Sequence, residues 1–202
     1  MPKCGERQMK LIKQPKRDII FVIKSTLAYG GLAATFSILG ILLPERVYLD
    51  NPIVGGLDVE HILGHIFWGL MIGAISLSLR YFLVAGSLAI IIDFDHLIQF
   101  FEIEAIGRMG HSIPFGFVSV IVLMIIFGRR DYLLGSTVFA AMLAHISFDT
   151  LTGSGNFPLF VPFFDDLVRF PDSFWFVFLL VGIGLVLSTK IFTRSQKYKK
   201  NN

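Results

Sequence analysis

Long apolar runs separated by short polar or basic breaks set the pattern of this 202-residue chain. The runs extend from Ile19 to Leu43, His61 to Leu79, Tyr81 to Phe101, Ile113 to Phe127, Tyr132 to Leu151 and Phe174 to Phe192. A helix needs roughly 20 apolar residues to cross a hydrocarbon core ~30 Å thick. Most of these runs meet or approach that length, and the shorter run from Ile113 predicts a tilted or partial span. None alternates with period two as a barrel strand would, so helices are the expected spanning element. The predicted fold is all-α, a polytopic membrane helical bundle of about six transmembrane helices. One membrane-embedded domain covers residues 19–192, with basic tails at 1–18 and 193–202. No internal repeat is visible.

Composition agrees with the pattern. Hydrophobic residues make up 54% of the chain, and 21 residues are phenylalanine; both are outside the range of an ordinary soluble domain. The net charge of +3 does not point to nucleic acid, because the basic residues sit in the tails and tight turns. Lys3, Arg7, Lys10, Lys13, Lys16 and Arg17 precede the first run, and Lys190, Arg194, Lys197, Lys199 and Lys200 close the last. Arg80 and the pair Arg129 and Arg130 occupy two turns. With six spans all of these fall on one side, while Arg46, Arg108 and Arg169 fall on the other. The positive-inside rule then places both termini in the cytoplasm and the protein in the plasma or inner membrane. The first apolar run is too long for a secretory signal and lacks a clear cleavage site. Cys4 is the only cysteine, so an internal disulfide is excluded and any metal site must use nitrogen and oxygen ligands.

Against this background the ionisable residues inside the runs are conspicuous. Polar groups at membrane depth are costly, and those retained there are candidates for function. The chain reads Asp58-x-x-His61-x-x-x-His65, then Asp93-Phe94-Asp95-His96, then Arg108-Met109-Gly110-His111-Ser112, then His145-x-x-x-Asp149. On the six-span map all five histidines fall toward the outer side. His145 and Asp149 are one helical turn apart and share a face; they either ligate one ion or join helices through a hydrogen bond. Asp93 and His96 also share a face. Their segment either continues the third span, as Leu97, Ile98, Phe100 and Phe101 suggest, or caps a helix ending at Ile92. His61 and His65 are four apart, with His61 read as an interfacial residue at headgroup depth. Asp58 and Glu60 read as solvated acids or as acids at a helix N-terminus. Gly64 and Gly69 allow a neighbouring helix to approach. Ser112 is a plausible N-cap and Pro114 suits a first helical turn. Arg108 can hold an anionic group or simply sit at the headgroups. The stretch from Phe157 to Phe164, broken by Pro158 and Pro162, cannot form a regular helix. It is expected to lie over the site, and Phe163, Phe164, Phe174 and Trp175 read as an aromatic belt.

In order and spacing these motifs resemble the membrane-bound metal-dependent hydrolases of the YdjM type, the DUF457 family. The matching residues are His65 with Gly69, then Asp93, Asp95 and His96, then Arg108, His111 and Ser112, then His145, Asp149, Thr152 and Gly155, with Pro162-Phe163 downstream. The likeness covers about Gly64 to Phe163. Ile92 stands where the family usually has proline, and Gly107 where its basic segment usually has histidine. The resemblance implies a hydrolase with a divalent metal, zinc by ligand type, at the outer membrane face; six candidate ligands exceed the three of a single catalytic zinc, so one or two ions are expected. His65, Asp93, His96, His111, His145 and Asp149 are then the metal ligands. Asp95 is the general base or an orienter of a ligand, and Arg108 the contact to an anionic substrate. A membrane lipid, or another lipid-linked or phosphorylated ester, would be the substrate. Two other classes compete: a divalent-cation or proton transporter, and a structural or partner-binding membrane protein. The inward parts of the second, third and fifth runs are apolar, which does not suit an ion path.

Overall fold

The computed structural model describes residues 4–43, 59–96, 106–153, 155–164 and 166–201. Arg46, Asp58, Leu97, Ile98, Phe100, Phe101 and Ser154 lie outside the described residues. Six α-helices dominate: α1 (Cys4–Gly40), α2 (Val59–Ala74), α3 (Leu79–Ile91), α4 (Ile113–Phe127), α5 (Tyr132–Leu151) and α6 (Trp175–Asn201). A two-residue antiparallel ladder, β1 (Asn156–Phe157) with β2 (Val168–Arg169), ties the segment between α5 and α6. The all-α expectation is met.

The helix lengths differ from the expectation. Three segments are long and apolar enough to cross a membrane: Lys16–Gly40, Tyr132–Leu151 and Asp172–Gln196. Helices α2, α3 and α4 have 16, 13 and 15 residues. The basic segment read as an N-terminal tail is the first part of α1, which starts at Cys4. The third run does not continue as one helix. It leaves the α-helix at Ile91 and tightens into a 3-10 turn over Ile92–His96. That realises the capping alternative, but the turn is no solvated end, because Asp95 is fully buried in it.

Helix α5 is the centre of the bundle: 78% of its apolar window is buried, against 28% for α1 and 17% for the window that includes most of α6. A helix buried on all sides is apolar on all sides, as Leu134, Val138, Ala141, Met142 and Ile146 illustrate. The outer helices turn apolar side chains outward, among them Ile23 and Leu27 on α1, Ile121 and Ile125 on α4, and Leu180 and Ile191 on α6. Glycine sets the closest approaches. A Cβ on Gly69 would collide with the Ala85 carbonyl and stand 2.7 Å from the Ala89 Cβ, so α2 and α3 pack backbone to backbone there. Gly64 lies under the Phe148 ring of α5 in the same way.

Consecutive helices alternate in direction, and specific contacts define two ends. At one end Arg80 pairs with Asp18 at 2.6 Å, the Tyr81 hydroxyl donates to Asp131 at 2.7 Å, and Lys190 donates to the Ile75 carbonyl at 3.0 Å. At the other, Ser147 receives the Trp68 indole N–H at 3.1 Å and donates to the Trp175 carbonyl at 2.7 Å. The start of α2, the end of α3, the start of α4 and the end of α5 therefore meet at one end, and these are the segments that carry the histidines.

Candidate metal centre

Five histidines and three aspartates converge at that end. On α2, His61 and His65 bring their Nε2 atoms within 2.8 Å of each other. His65 is fully buried, stacked on His145 with ring centroids 3.7 Å apart and planes at 6°, and edge-on to Phe148 at 4.9 Å. The 3-10 turn after α3 delivers Asp93, Asp95 and His96. A second short 3-10 turn, Met109–His111, delivers His111, and Ser112 ends it by capping α4. The Ser112 hydroxyl oxygen accepts from Phe115 N–H at 3.2 Å and donates to the Met109 carbonyl at 2.8 Å, as its place in the sequence predicts. His145 and Asp149 come from the last turns of α5, fully or almost fully buried.

The hydrogen bonds define which nitrogen each inner histidine presents. His145 donates from Nδ1 to the carbonyl of Ala89 at 2.6 Å. Ala89 lies among the last four carbonyls of α3, which the α-helical pattern leaves unpaired. His111 donates from Nδ1 to Asp95 Oδ2 at 3.0 Å, and Gly110 N–H reaches the same oxygen at 2.6 Å. A carbonyl or carboxylate oxygen only accepts, so both Nδ1 atoms carry hydrogen. Both Nε2 atoms then point inward, 2.8 Å from each other. Two lone pairs cannot face each other at that separation without a cation or a proton between them. Burial disfavours a charged His111 imidazole. The Asp95 charge and the hydrogen bonds that the ring donates to Asp149 and Asp95 nevertheless outweigh burial and the opposing charge of Arg108, and hold its pKa up to about 9.

Two carboxylates complete this inner set. Asp93 Oδ1 lies 3.4 Å from His145 Nε2 and 3.8 Å from His111 Nε2, and Asp149 Oδ2 lies 3.4 Å and 3.5 Å from the same two atoms. Ligand atoms around a tetrahedral zinc, at bond lengths of ~2.0–2.1 Å, stand about 3.3 Å apart. Each carboxylate oxygen is thus spaced to share an ion with the two imidazoles after small adjustments. The second nitrogens of His145 and His111, anchored on the Ala89 carbonyl and the Asp95 carboxylate, are the outer partners that metal-ligating imidazoles characteristically have.

The other sequence-derived residues take specific places. Asp95 is fully buried, and its Oδ2 accepts from the Gly110 N–H and from His111 Nδ1. His96 stands on the far side of Asp93, its Nε2 3.6 Å from Asp93 Oδ1 and 3.5 Å from Asp95 Oδ1. Arg108, at a left-handed backbone position (φ 59°), pairs with Asp149 Oδ2. Its guanidinium lies 5.0 Å from the centre of the Phe157 ring. That ring is buried and stacks on His111 at 6.0 Å, so the segment after α5 does cover the site. Phe163 and Phe164 on this segment are strongly exposed.

His61, read from the sequence as an interfacial residue, also touches the cluster: its Nε2 lies 2.8 Å from that of His65 and 3.4 Å from Asp149 Oδ1. Its spacing from His65 carried the signal, and its position at the start of an apolar run masked it. The Ala89 carbonyl and the Gly110 amide had no side-chain signal at all. Comparison of the chain with protein-family models, with curated proteins and with solved structures finds no significant match.

Proposed function

We propose that this protein is a membrane-embedded, metal-dependent hydrolase whose His–Asp centre opens at the outer face of the membrane. The observation that carries this reading is the pair of Nε2 atoms of His111 and His145, 2.8 Å apart, each fixed by an Nδ1 hydrogen bond to an acceptor-only oxygen. The inner ion would be held by His111, His145, Asp93 and Asp149, a nitrogen-and-oxygen set suited to zinc. Bound there, it supplies Lewis acidity for hydrolysis at neutral pH. Asp95 keeps His111 in the correct tautomer and orientation. Arg108, already paired with a carboxylate, is placed to receive an anionic substrate group instead. Phe157 and the segment around it shield the centre from one side.

The six helices are taken to cross the membrane in alternation, with the basic end cytoplasmic. The outward apolar side chains of α1, α4 and α6 support burial in lipid. A centre at the outer end, with exposed Phe163 and Phe164 on the segment that follows α5, favours a phospholipid or another membrane-associated ester as substrate. Toward the basic end, the buried side chains Ile72, Val84 and Val138 are apolar, and buried Ser25 and Thr137 use their hydroxyls on the Phe21 and Leu133 carbonyls of their own helices. This favours a closed reaction site over an ion path.

The test is elemental analysis of the purified protein together with hydrolysis of a short-chain phospholipid and a chromogenic phosphodiester. The expected result is stoichiometric divalent metal in the wild type, loss of the inner ion in His145→Ala and Asp93→Ala, and hydrolysis abolished by chelation. A wild-type protein that neither contains nor takes up a divalent metal would overturn the reading.

A further inference from the structure

We infer that the centre holds a second divalent cation, bound by His61 and His65 and joined to the inner one through the carboxylate of Asp149; this rests on the metal-dependent reading above. Asp149 is 1% exposed, and its two oxygens face different histidine pairs. Oδ2 faces His111 and His145. Oδ1 faces His61 at 3.4 Å and His65 at 3.2 Å. These separations match the ~3.3 Å between ligand atoms of a tetrahedral ion. The 2.8 Å between the two Nε2 atoms is shorter, and would open slightly around an ion.

Burial makes this arrangement informative. Asp149 Oδ1 makes no hydrogen bond among the described residues, and neither do Asp93 Oδ2 and His65 Nδ1. A buried carboxylate oxygen without a hydrogen bond is expensive, and a cation between Oδ1 and the two imidazoles removes that deficit. The His65 ring cannot easily turn away, because it is held between the parallel His145 ring and the Phe148 edge. His61 and His65 present their nitrogens from successive turns of one helix, the spacing by which a helix supplies two imidazoles to one ion. Asp93 offers a further oxygen within 4.8 Å of both His61 and His65, and another such group joins Asp93 to His111 and His145. Two aspartates thus stand between two histidine pairs, the ligand pattern of a carboxylate-bridged two-ion centre.

Metal stoichiometry and coupling test the second position without relying on turnover. The full-length protein in detergent is stripped with chelator, dialysed against buffered zinc and analysed. Two equivalents are expected for wild type, and one each for His61→Ala and His65→Ala. His61 is partly exposed, so its truncation spares the core even if that of His65 does not. With manganese in place of zinc, the wild type should give an exchange-coupled electron paramagnetic resonance signal, absent in His61→Ala and in Asp149→Asn. Wild type that binds a single equivalent, with both histidine variants unchanged, overturns the second ion and leaves the inner centre standing. Two equivalents retained in both histidine variants also overturn it. Wild type that binds none overturns the metal-dependent reading itself.

Discussion

The Gly110 backbone N–H donates to Asp95 Oδ2 at 2.6 Å, and a Cβ at position 110 would lie 2.9 Å from that same oxygen. The carboxylate that orients His111 therefore fits only because residue 110 has no side chain. Gly110→Ala should push Asp95 away, release the His111 Nδ1 hydrogen bond and weaken the inner ion. Loss of such an outer partner typically costs about 10–100-fold in metal affinity. Zinc competition with a chromophoric chelator should read a loss of that order, with helix content by circular dichroism unchanged. Affinity equal to wild type would mean that Asp95 does not govern His111.

The His111–His145 pair should also make metal uptake pH-dependent. In the metal-free protein the His111 pKa is held up to about 9, so at neutral pH one proton lies between the two Nε2 atoms. An imidazole ligates only when neutral, and metal binding must release that proton. The sign follows directly: below about pH 9 apparent zinc affinity should fall roughly tenfold per pH unit as this proton competes, and above it this dependence should level off. Calorimetry in buffers of different ionisation enthalpy should show about one proton released from this pair, and the signal should be lost in His111→Ala. A pH-independent affinity between pH 6 and 8 would contradict the inward-facing geometry.

Much of this architecture was legible in the sequence. Alternating runs, with Lys and Arg concentrated in the tails and every second break, place His65, His111 and His145 at one end before any coordinates are considered. The Ser112 cap was legible because capping is local. What was hidden was tertiary. Leu97, Ile98, Phe100 and Phe101 extend the apolar period past Asp93, so nothing local announces that α3 stops at Ile91. The stop brings Asp93 into the cluster and seats Asp95 under Gly110, whose partner is 15 residues away. The pairing of Arg108 with Asp149 spans 41 residues, and the acceptor for His145 is a main-chain oxygen. A side-chain pattern carries no record of either.

Arg108 occupies the oxygen of Asp149 that the inner ion would use. With an ion in place the guanidinium is repelled from that oxygen and becomes available to an anionic group of the substrate. Arg108→Gln should therefore lower kcat/KM for a phosphodiester by about 10–100-fold, the worth of one charge-assisted hydrogen bond. A neutral ester of similar size should lose little. Lysine at this position should restore only part of the activity, because a point charge cannot reproduce the planar fork. Equal losses on the charged and the neutral substrate would assign Arg108 to holding Asp149 rather than the substrate.

The two ends of the bundle define a topology that can be measured. Asp18 with Arg80, Tyr81 with Asp131, and Lys190 with the Ile75 carbonyl gather the starts of α3 and α5, the end of α2, and interior turns of α1 and α6 at the basic end. Helix α3 alone, with 13 residues, is about 20 Å long and too short for a ~30 Å core. Laid end to end with the 3-10 turn Ile92–His96 it reaches about 30 Å, so its crossing would finish at the His–Asp cluster itself. A reporter fused after Asn202 should then read cytoplasmic, and one inserted after Gly153, an exposed residue just past α5, should read on the opposite side. A cysteine at position 163, exposed on the segment after α5, should react with a membrane-impermeant maleimide added from outside, whereas one at position 129 should not. Labelling at position 129 from outside, or a C-terminal reporter on the outer face, would invert the orientation and place the His–Asp centre at the cytoplasmic surface.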